Sequence, residues 1–440
     1  MIEQMKPSGI DWIGDVPSSW KMLKLKYFSY LKGRIGWQGL TADEFIDEGP
    51  YLITGTDFEN GRIQFDRSYH ISEERYEQAP EIQLKIGDLL VTKDGTVGKM
   101  AYVDELPDKA SLNSHLLLIR PLKNRYDNRF LFWLMSSTVF TGYTDYSQDG
   151  TIMASLSQEK IGNFIAYFPT VEEQVKIADY LDAKCSKLDS IIADLEKQID
   201  TLQKYKKSLI TETVTKGLDK SAQMKDSGTE WIGEIPAHWK VIRITKYLDS
   251  LVDYRGKTPE KVDNGIFLVT ARNIKNGVID YSLSQEYVAV DDYEEIMHRG
   301  KPHKGDVLFT TEAPLGEVAN VDNTDIALAQ RVIKFRGRKN CINNYYLKYW
   351  IMSLGFQSFL ASLATGSTAL GIAASKLGQL KMVLPTYDEQ AEIVSKLDAA
   401  CDNIDAIIVT KKEQLEHIQQ YKKSLIYEYV TGKKCVMEVK

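Results

Sequence analysis

Apolar residues recur every seven positions along two polar stretches of the chain. In the first, Leu181, Leu188, Leu195, Leu202 and Leu209 keep the interval, and Cys185, Ile192 and Ile199 follow three of them by four places. In the second, Leu397, Ile404, Ile418 and Leu425 form one series, broken only by Lys411, while Cys401, Ile408 and Leu415 form the other. A two-row heptad stripe predicts a helix that buries a narrow seam against another helix. A helix lying on a globular surface would carry a broader stripe, so mutual pairing is preferred over two unrelated amphipathic helices. Each stretch opens with Pro-Thr and acids, Glu172 and Glu173 or Asp388 and Glu389, and closes on Lys-Lys followed by Gly217 or Gly432. Acids suit the positive end of a helix and glycine its left-handed stop. The expectation is two helices of about 40 residues, roughly 60 Å each.

Elsewhere the apolar pattern is short and β-like. YLITG, DLLVT, HLLLIR, IFLVT, DVLFT and RVIKF are brief β-branched or leucine-rich runs bounded by Gly, Asn and Asp turns, with an aromatic helix around Trp133 and another around Trp350. These runs come in matched sets. WIGDVPSSWK from Trp12 returns as WIGEIPAHWK from Trp231, YLITGTDFENG from Tyr51 as FLVTARNIKNG from Phe267, and GDLLVTKDGTVG from Gly87 as GDVLFTTEAPLG from Gly305. FLFWLMSS is matched with LKYWIMSL by superposing Trp133 on Trp350, 217 positions on; PTVEEQVKIADYLDAKC from Pro169 and YKKSLITETVT from Tyr205 each return after 216. A nearly constant offset means that one unit has been duplicated with few insertions. The predicted architecture is α+β: two similar lobes, 1–168 and 218–384, each followed by a long helix, 169–217 and 385–434. An antiparallel helix pair suits the pseudo-twofold repeat and the short linker after the first helix; a parallel pair stays open.

Composition then narrows the class. The chain has 440 residues, 43% hydrophobic and 26% charged, with a formal net charge of −6. That excludes a disordered or fibrous protein, and any nucleic-acid contact has to come from local patches. No segment approaches the ~20 apolar residues of a membrane span and the N-terminus lacks a signal pattern, so a cytoplasmic protein is expected, without a membrane partner. Cys185, Cys341, Cys401 and Cys435 lack metal or disulfide spacing, and no metal site is expected. Phosphate-loop, nucleophile-elbow, dinucleotide and HExxH patterns are missing, and neither Asp94 nor Glu312 reads as half of a repeated acid–base pair. The chain reads as a recognition and assembly protein without catalytic residues.

The order of lobe, helix, lobe, helix, with the WIGDVPSSWK and WIGEIPAHWK openings, the GDLLVTKDGT block and the Pro-x-x-x-Glu-Gln helix starts, closely resembles the specificity subunit of type I restriction-modification systems. The resemblance covers nearly the whole chain. It implies that each lobe is a target-recognition domain reading one half of a split, asymmetric sequence in double-stranded DNA, and that the helices fix the spacer. It also implies two docked methyltransferase subunits that carry S-adenosylmethionine, and restriction subunits that use ATP and Mg, with no cofactor in this chain.

Base edges and phosphates call for donors and amides on the Gly-rich loops. The candidates are Arg34, Gln38, Thr92, Lys93, Thr96, Asn113 and Ser114 in the first lobe. In the second they are Arg255, Lys257, Thr258, Arg272, Asn273, Thr311, Gln330, Arg331 and Ser367. The competing class is a coiled-coil scaffold or adaptor that touches no DNA.

Overall fold

The computed structural model describes residues 4–34, 40–146, 155–256, 258–366 and 370–436. They fall into two units. One is Met1–Asp194 with Gln414–Lys440, and the other is Leu195–Glu413. Each unit therefore holds a lobe and one half of each long helix.

In the first unit, a four-stranded antiparallel sheet runs in the order Met100–Tyr102, Leu89–Thr92, Leu116–Pro121, Ser29–Lys32. Beside it, Ala110–Leu112 pairs parallel to Ile46–Ile53, which also takes the short antiparallel strand Tyr69–His70. The central strands are apolar on both faces because both are covered. Leu89, Val91, Leu117 and Ile119 enter a core with the aromatic helix Asn128–Met135, while Leu90, Leu116 and Leu118 enter a second core shared with the smaller sheet. Continuous apolar runs of this kind are the signature of a strand buried on both sides.

The second unit repeats the plan strand for strand. Leu248–Asp253, Val332–Gly337, Val307–Thr311 and Leu315–Asn320 form the four-stranded sheet, and Tyr287–Val288, Ile266–Val269 and Ile326–Leu328 the smaller one. The six apolar runs of the sequence all contribute to these strands. The aromatic helices show that the match between them is 216 residues, not the 217 obtained by superposing Trp133 on Trp350. Asp127 caps the first by accepting from the amides of Arg129 and Phe130, and Asn343 caps the second by accepting from Tyr345 and Tyr346. Trp133 thus corresponds to Tyr349. The Trp133 indole donates to Asp182 at 2.7 Å and the Tyr349 hydroxyl to Asp398 at 2.5 Å, the same carboxylate one repeat later.

The long helices run Val171–Lys216 and Tyr387–Val430, 46 and 44 residues, a little longer than expected. Within each unit their paired halves are antiparallel. In the first, Tyr180 lies against Tyr429 at 4.5 Å between ring centroids and Asp189 pairs with Lys422 at 2.5 Å. In the second, Gln198 accepts from Lys411 at 2.5 Å and Lys206 pairs with Asp405 at 2.5 Å. The seam positions are the ones withdrawn from water. Leu181, Leu195, Leu397, Ile404, Ile408 and Leu425 are buried, and Leu188, Ile192, Ile199, Leu202, Leu209, Leu415 and Ile418 are partly so. Lys411, the break in the heptad, is satisfied by an amide on the facing helix.

Two further details explain sequence motifs. Gln174 and Gln390, last in the Pro-x-x-x-Glu-Gln starts, are buried. Each accepts an amide from the cap of the aromatic helix, Asp127 or Asn343 at 2.8 Å, and donates to its own Pro169 or Pro385 carbonyl. The duplicated WIGxxPxxWK phrase closes on a helix end. Gly432, at φ +71°, packs against Pro17 and Trp20, and Gly217, at φ +77°, against Trp239 and Pro236. A side chain at either glycine would meet both left-handed strain and the indole.

Candidate nucleic-acid interface

In the first lobe, two loops meet at the ends of the central strands. Thr92 is buried at the end of Leu89–Thr92, where its hydroxyl donates to the Thr96 carbonyl and accepts the Lys99 amide at 2.9 Å, folding 92–99 into a tight hairpin. The Lys93 amide then donates to the His115 carbonyl at 2.8 Å, which joins this hairpin to the turn leading into Leu116–Pro121. In that turn the Asn113 carboxamide oxygen accepts the His115 amide at 2.9 Å and the Ser114 hydroxyl at 3.2 Å. With the backbones held, the His115 ring Nδ1 pairs with the Asp94 carboxylate at the exposed tip.

The second lobe builds the same clamp from different residues. Thr310 takes the place of Thr92, its hydroxyl accepting the Glu317 amide at 2.9 Å. Thr311 takes the place of Lys93, with its amide and hydroxyl reaching the Arg331 carbonyl at 2.9 and 3.2 Å. The Arg331 guanidinium then stands 3.8 Å from Glu312, where His115 stands beside Asp94. Asp94 and Glu312 are therefore a repeated carboxylate, each beside a basic group, contrary to the sequence reading. The offset alone could have found them: Asp94 to Glu312 is 218 residues, as for the flanking glycines, and His115 to Arg331 is 216.

Beside the second clamp lies a cleft of about 210 Å³ whose lining includes Thr258, Arg272, Gln330 and Arg331, four of the expected residues. Lys261 and Glu286 lie in it too and pair at 2.7 Å. Burial would raise the Glu286 carboxyl, but Lys261, Ser284 and Arg272 together hold it below the ordinary glutamate value. The cleft is thus a cationic pocket whose one carboxylate is held in its charged form.

Other expected residues are committed to the fold. Arg34 is buried, donating to the Leu112 carbonyl at 2.7 Å and the Ser111 hydroxyl at 2.9 Å, and burial lowers its pKa. Arg255 forks onto Asp253 and donates to the Ile372 carbonyl at 2.8 Å. Asn273 is fully buried, accepting the Thr270 amide and donating to the Asp280 and Leu283 carbonyls. Thr92 and Thr311 are buried in the clamps. These five hold loops in place instead of facing outward, because the same polar groups that suit a base edge also suit a strained turn. Lys93, Asn113 and Ser114 are half-buried and Thr96 is exposed on the joined loops of the first lobe. Gln38, Lys257 and Ser367 lie outside the described residues. Among the described residues no cluster of three metal-ligating side chains occurs, and no helix is long and apolar enough to cross a membrane.

Known proteins share this plan. The type I restriction enzyme MjaVIII specificity subunit of Methanocaldococcus jannaschii is 25% identical over 95% of this chain and 93% of its own length. The EcoKI specificity subunit of Escherichia coli K12 is 18% identical over 95% of this chain and 90% of its own. A solved chain from work on complex assembly and conformational transition of the type I R-M system covers 95% of this chain and 99% of its own, with a TM-score of 0.69 at 16% identity; it shares the fold. The profile of the type I restriction-modification DNA specificity domain matches twice, over residues 17–201 and 236–417, once for each half of the duplication, and the chain belongs to that family.

Proposed function

We propose that this chain is the DNA-recognition subunit of a type I restriction-modification complex, with target-recognition domains at 1–168 and 218–384 that each read one half of a split, asymmetric sequence. The observation that carries the reading is the duplicated clamp. The scaffold, Lys93 to His115 and Thr311 to Arg331, is the same in both lobes, while the side chains it presents differ. A common scaffold with unlike tips is what two half-sites of different sequence require. Two coupled lobes also add their discrimination, each wrong base pair costing about 1–3 kcal/mol.

The reading assigns the spacer to the long helices, 169–217 and 385–434, each of which contributes to both units. It assigns catalysis to partners: two methyltransferase subunits holding S-adenosylmethionine, and restriction subunits using ATP and Mg, all acting in the cytoplasm. Apolar residues left exposed on the long helices support docking of partners on each unit. Ile191 and Tyr205 are exposed on the first helix, and Ile407 and Tyr421, each 216 residues on, are exposed on the second.

Mapping N6-methyladenine in the source cell with and without this gene tests the function. Loss of methylation at one split motif is expected, and an unchanged methylome refutes it. Duplex binding by the chain with its methyltransferase partner should weaken steeply as salt rises. A scaffold that does not touch DNA would bind no duplex at any salt.

A further inference from the structure

We propose that Arg331 is the guanine reader of the second half-site, and that the seat it shares with His115 is where the two lobes part in specificity. The inference rests on the DNA-recognition reading above.

The geometry of the seat separates its backbone from its side chain. The Arg331 carbonyl is gripped by both the amide and the hydroxyl of Thr311, and the Thr311 carbonyl in turn accepts the Ile372 amide at 3.0 Å. The backbone thus has little freedom. The Arg331 side chain, in contrast, is about half exposed at 49%, and Glu312, at 3.8 Å, is beyond direct hydrogen-bond distance of its guanidinium. Glu312 can orient the fork without occupying it.

Arg331 also stands on the lip of the cleft that holds Gln330, Arg272 and Thr258. A planar fork on a rigid backbone matches an acceptor pair in one plane. Among base edges in the major groove, only guanine offers two adjacent acceptors, O6 and N7. Arg272 adds positive charge for the flanking backbone phosphates.

The first lobe cannot make this contact from the same seat. His115 has a single-ring donor pattern with no fork, and its Nδ1 is already engaged by Asp94. The neighbour of Arg331 is Gln330, whereas the neighbour of His115 is Ser114, too short to reach as far. One position of the second half-site is therefore a G·C pair read through a fork, and its counterpart in the first half-site is read by a different chemistry.

The test uses the complex reconstituted with its methyltransferase subunits. After the motif has been mapped, methylation rates are measured on duplexes carrying each base pair at every position of the second half-site. The wild type should favour G·C at one position by on the order of 10- to 100-fold. Arg331→Ala should abolish that preference at that position while leaving the other second-half positions and the whole first half-site unchanged. Arg331→Lys should keep part of it. His115→Ala should alter the first half-site only.

An Arg331→Ala complex that retains every preference overturns the proposal, as does a second half-site without guanine. Equal loss of methylation on all duplexes in both Arg331 variants overturns it too, because that marks a structural residue. If the wild-type complex methylates no split motif, the DNA-recognition reading itself has failed. A split motif that ignores Arg331 removes this inference alone.

Discussion

The two lobes each bury one carboxylate at the same place and treat it differently. Asp88 and Asp306 are both 1% exposed, and each receives a forked arginine, Arg120 at 2.7 Å or Arg336 at 2.7 and 2.8 Å. Each also accepts an amide three residues back, from Lys85 or His303. The difference lies two strand residues before the arginine. Where the first lobe has Leu118, the second has Lys334, fully buried, 3.5 Å from Asp306 and donating to the Lys301 carbonyl. Burial pushes the Asp88 carboxyl up, and Arg120 does not compensate. Burial pushes on Asp306 as well, but Arg336, the His303 amide and Lys334 together overcome it and carry that carboxyl below its usual value. The same carboxylate is thus raised in the lobe with an apolar neighbour and lowered in the lobe where Lys334 adds to Arg336 and the His303 amide.

The largest consequence to measure is removal of the carboxylate. Asp306→Ala strands the buried Lys334 as well as the partly exposed Arg336 and should cost about 3–5 kcal/mol in chemical denaturation of the full chain. Asp88→Ala should cost clearly less, because it strands only Arg120, a quarter of which reaches water. Equal losses would break the comparison.

Next come the paired glutamines, which the lobes treat alike. Gln174→Ala and Gln390→Ala should each cost about 1–3 kcal/mol, since the first leaves an amide and a carbonyl unpaired and the second an amide and the carbonyls of Pro385 and Cys341. Amide exchange should locate the first effect in the unit of Met1–Asp194 and the second in Leu195–Glu413.

A smaller effect follows acid. Asp306, with its folded pKa depressed, contributes stability above the ordinary aspartate value of 3.8, which is lost as pH falls through the lower folded value. Asp88, with its folded pKa raised, has the opposite sign: stability is fully present below 3.8 and declines as pH rises through the folded value. Amide exchange of the full chain near that pH should show the second unit loosening first on acidification. Glu389 reinforces this order. Burial raises it, but His238, Thr386 and Trp239 outweigh burial and take it down to about 2, so its contribution disappears between 4.5 and about 2. Lys334→Leu should change stability at neutral pH by less than about 1 kcal/mol, and should erase the acid difference contributed by Asp306. Retention of that difference would disprove the role given to Lys334.

The smallest effect lies on the helices. Lys411→Leu restores the heptad and should stabilise by at most about 1 kcal/mol, read as a shift in denaturation midpoint, because the lysine is only half-buried and already paired with Gln198.

Much of this architecture could be read directly from residue patterns. The heptad leucines, the strands apolar on both faces and the offset near 216 each reflect a periodic or repeated burial requirement, which leaves a mark on neighbouring positions. The candidate interface was less legible for two physical reasons. Arg34, Asn273 and Thr311 have the chemistry of base readers, but a loop with unpaired carbonyls or amides uses the same chemistry, and only burial tells the two apart. Asp94 and His115 are 21 residues apart and meet only because Leu116–Pro121 starts opposite the end of Leu89–Thr92, Leu116 facing Thr92. The glutamine of the Pro-x-x-x-Glu-Gln start was visible as a motif, yet its partner, a cap 47 residues upstream, could be seen only in the fold.

The seating of Pro17 and Trp20 on Gly432, with Tyr427 and Lys433 both donating to the Ile13 carbonyl, has a consequence for biosynthesis. The residues that open the first lobe emerge from the ribosome more than 400 positions ahead of those that clasp them. The unit encoded without interruption, Leu195–Glu413, can complete its core while translation continues, whereas the one that begins earlier must wait, its apolar flank open, for the second long helix to be made. The order of maturation is therefore the reverse of the order of synthesis.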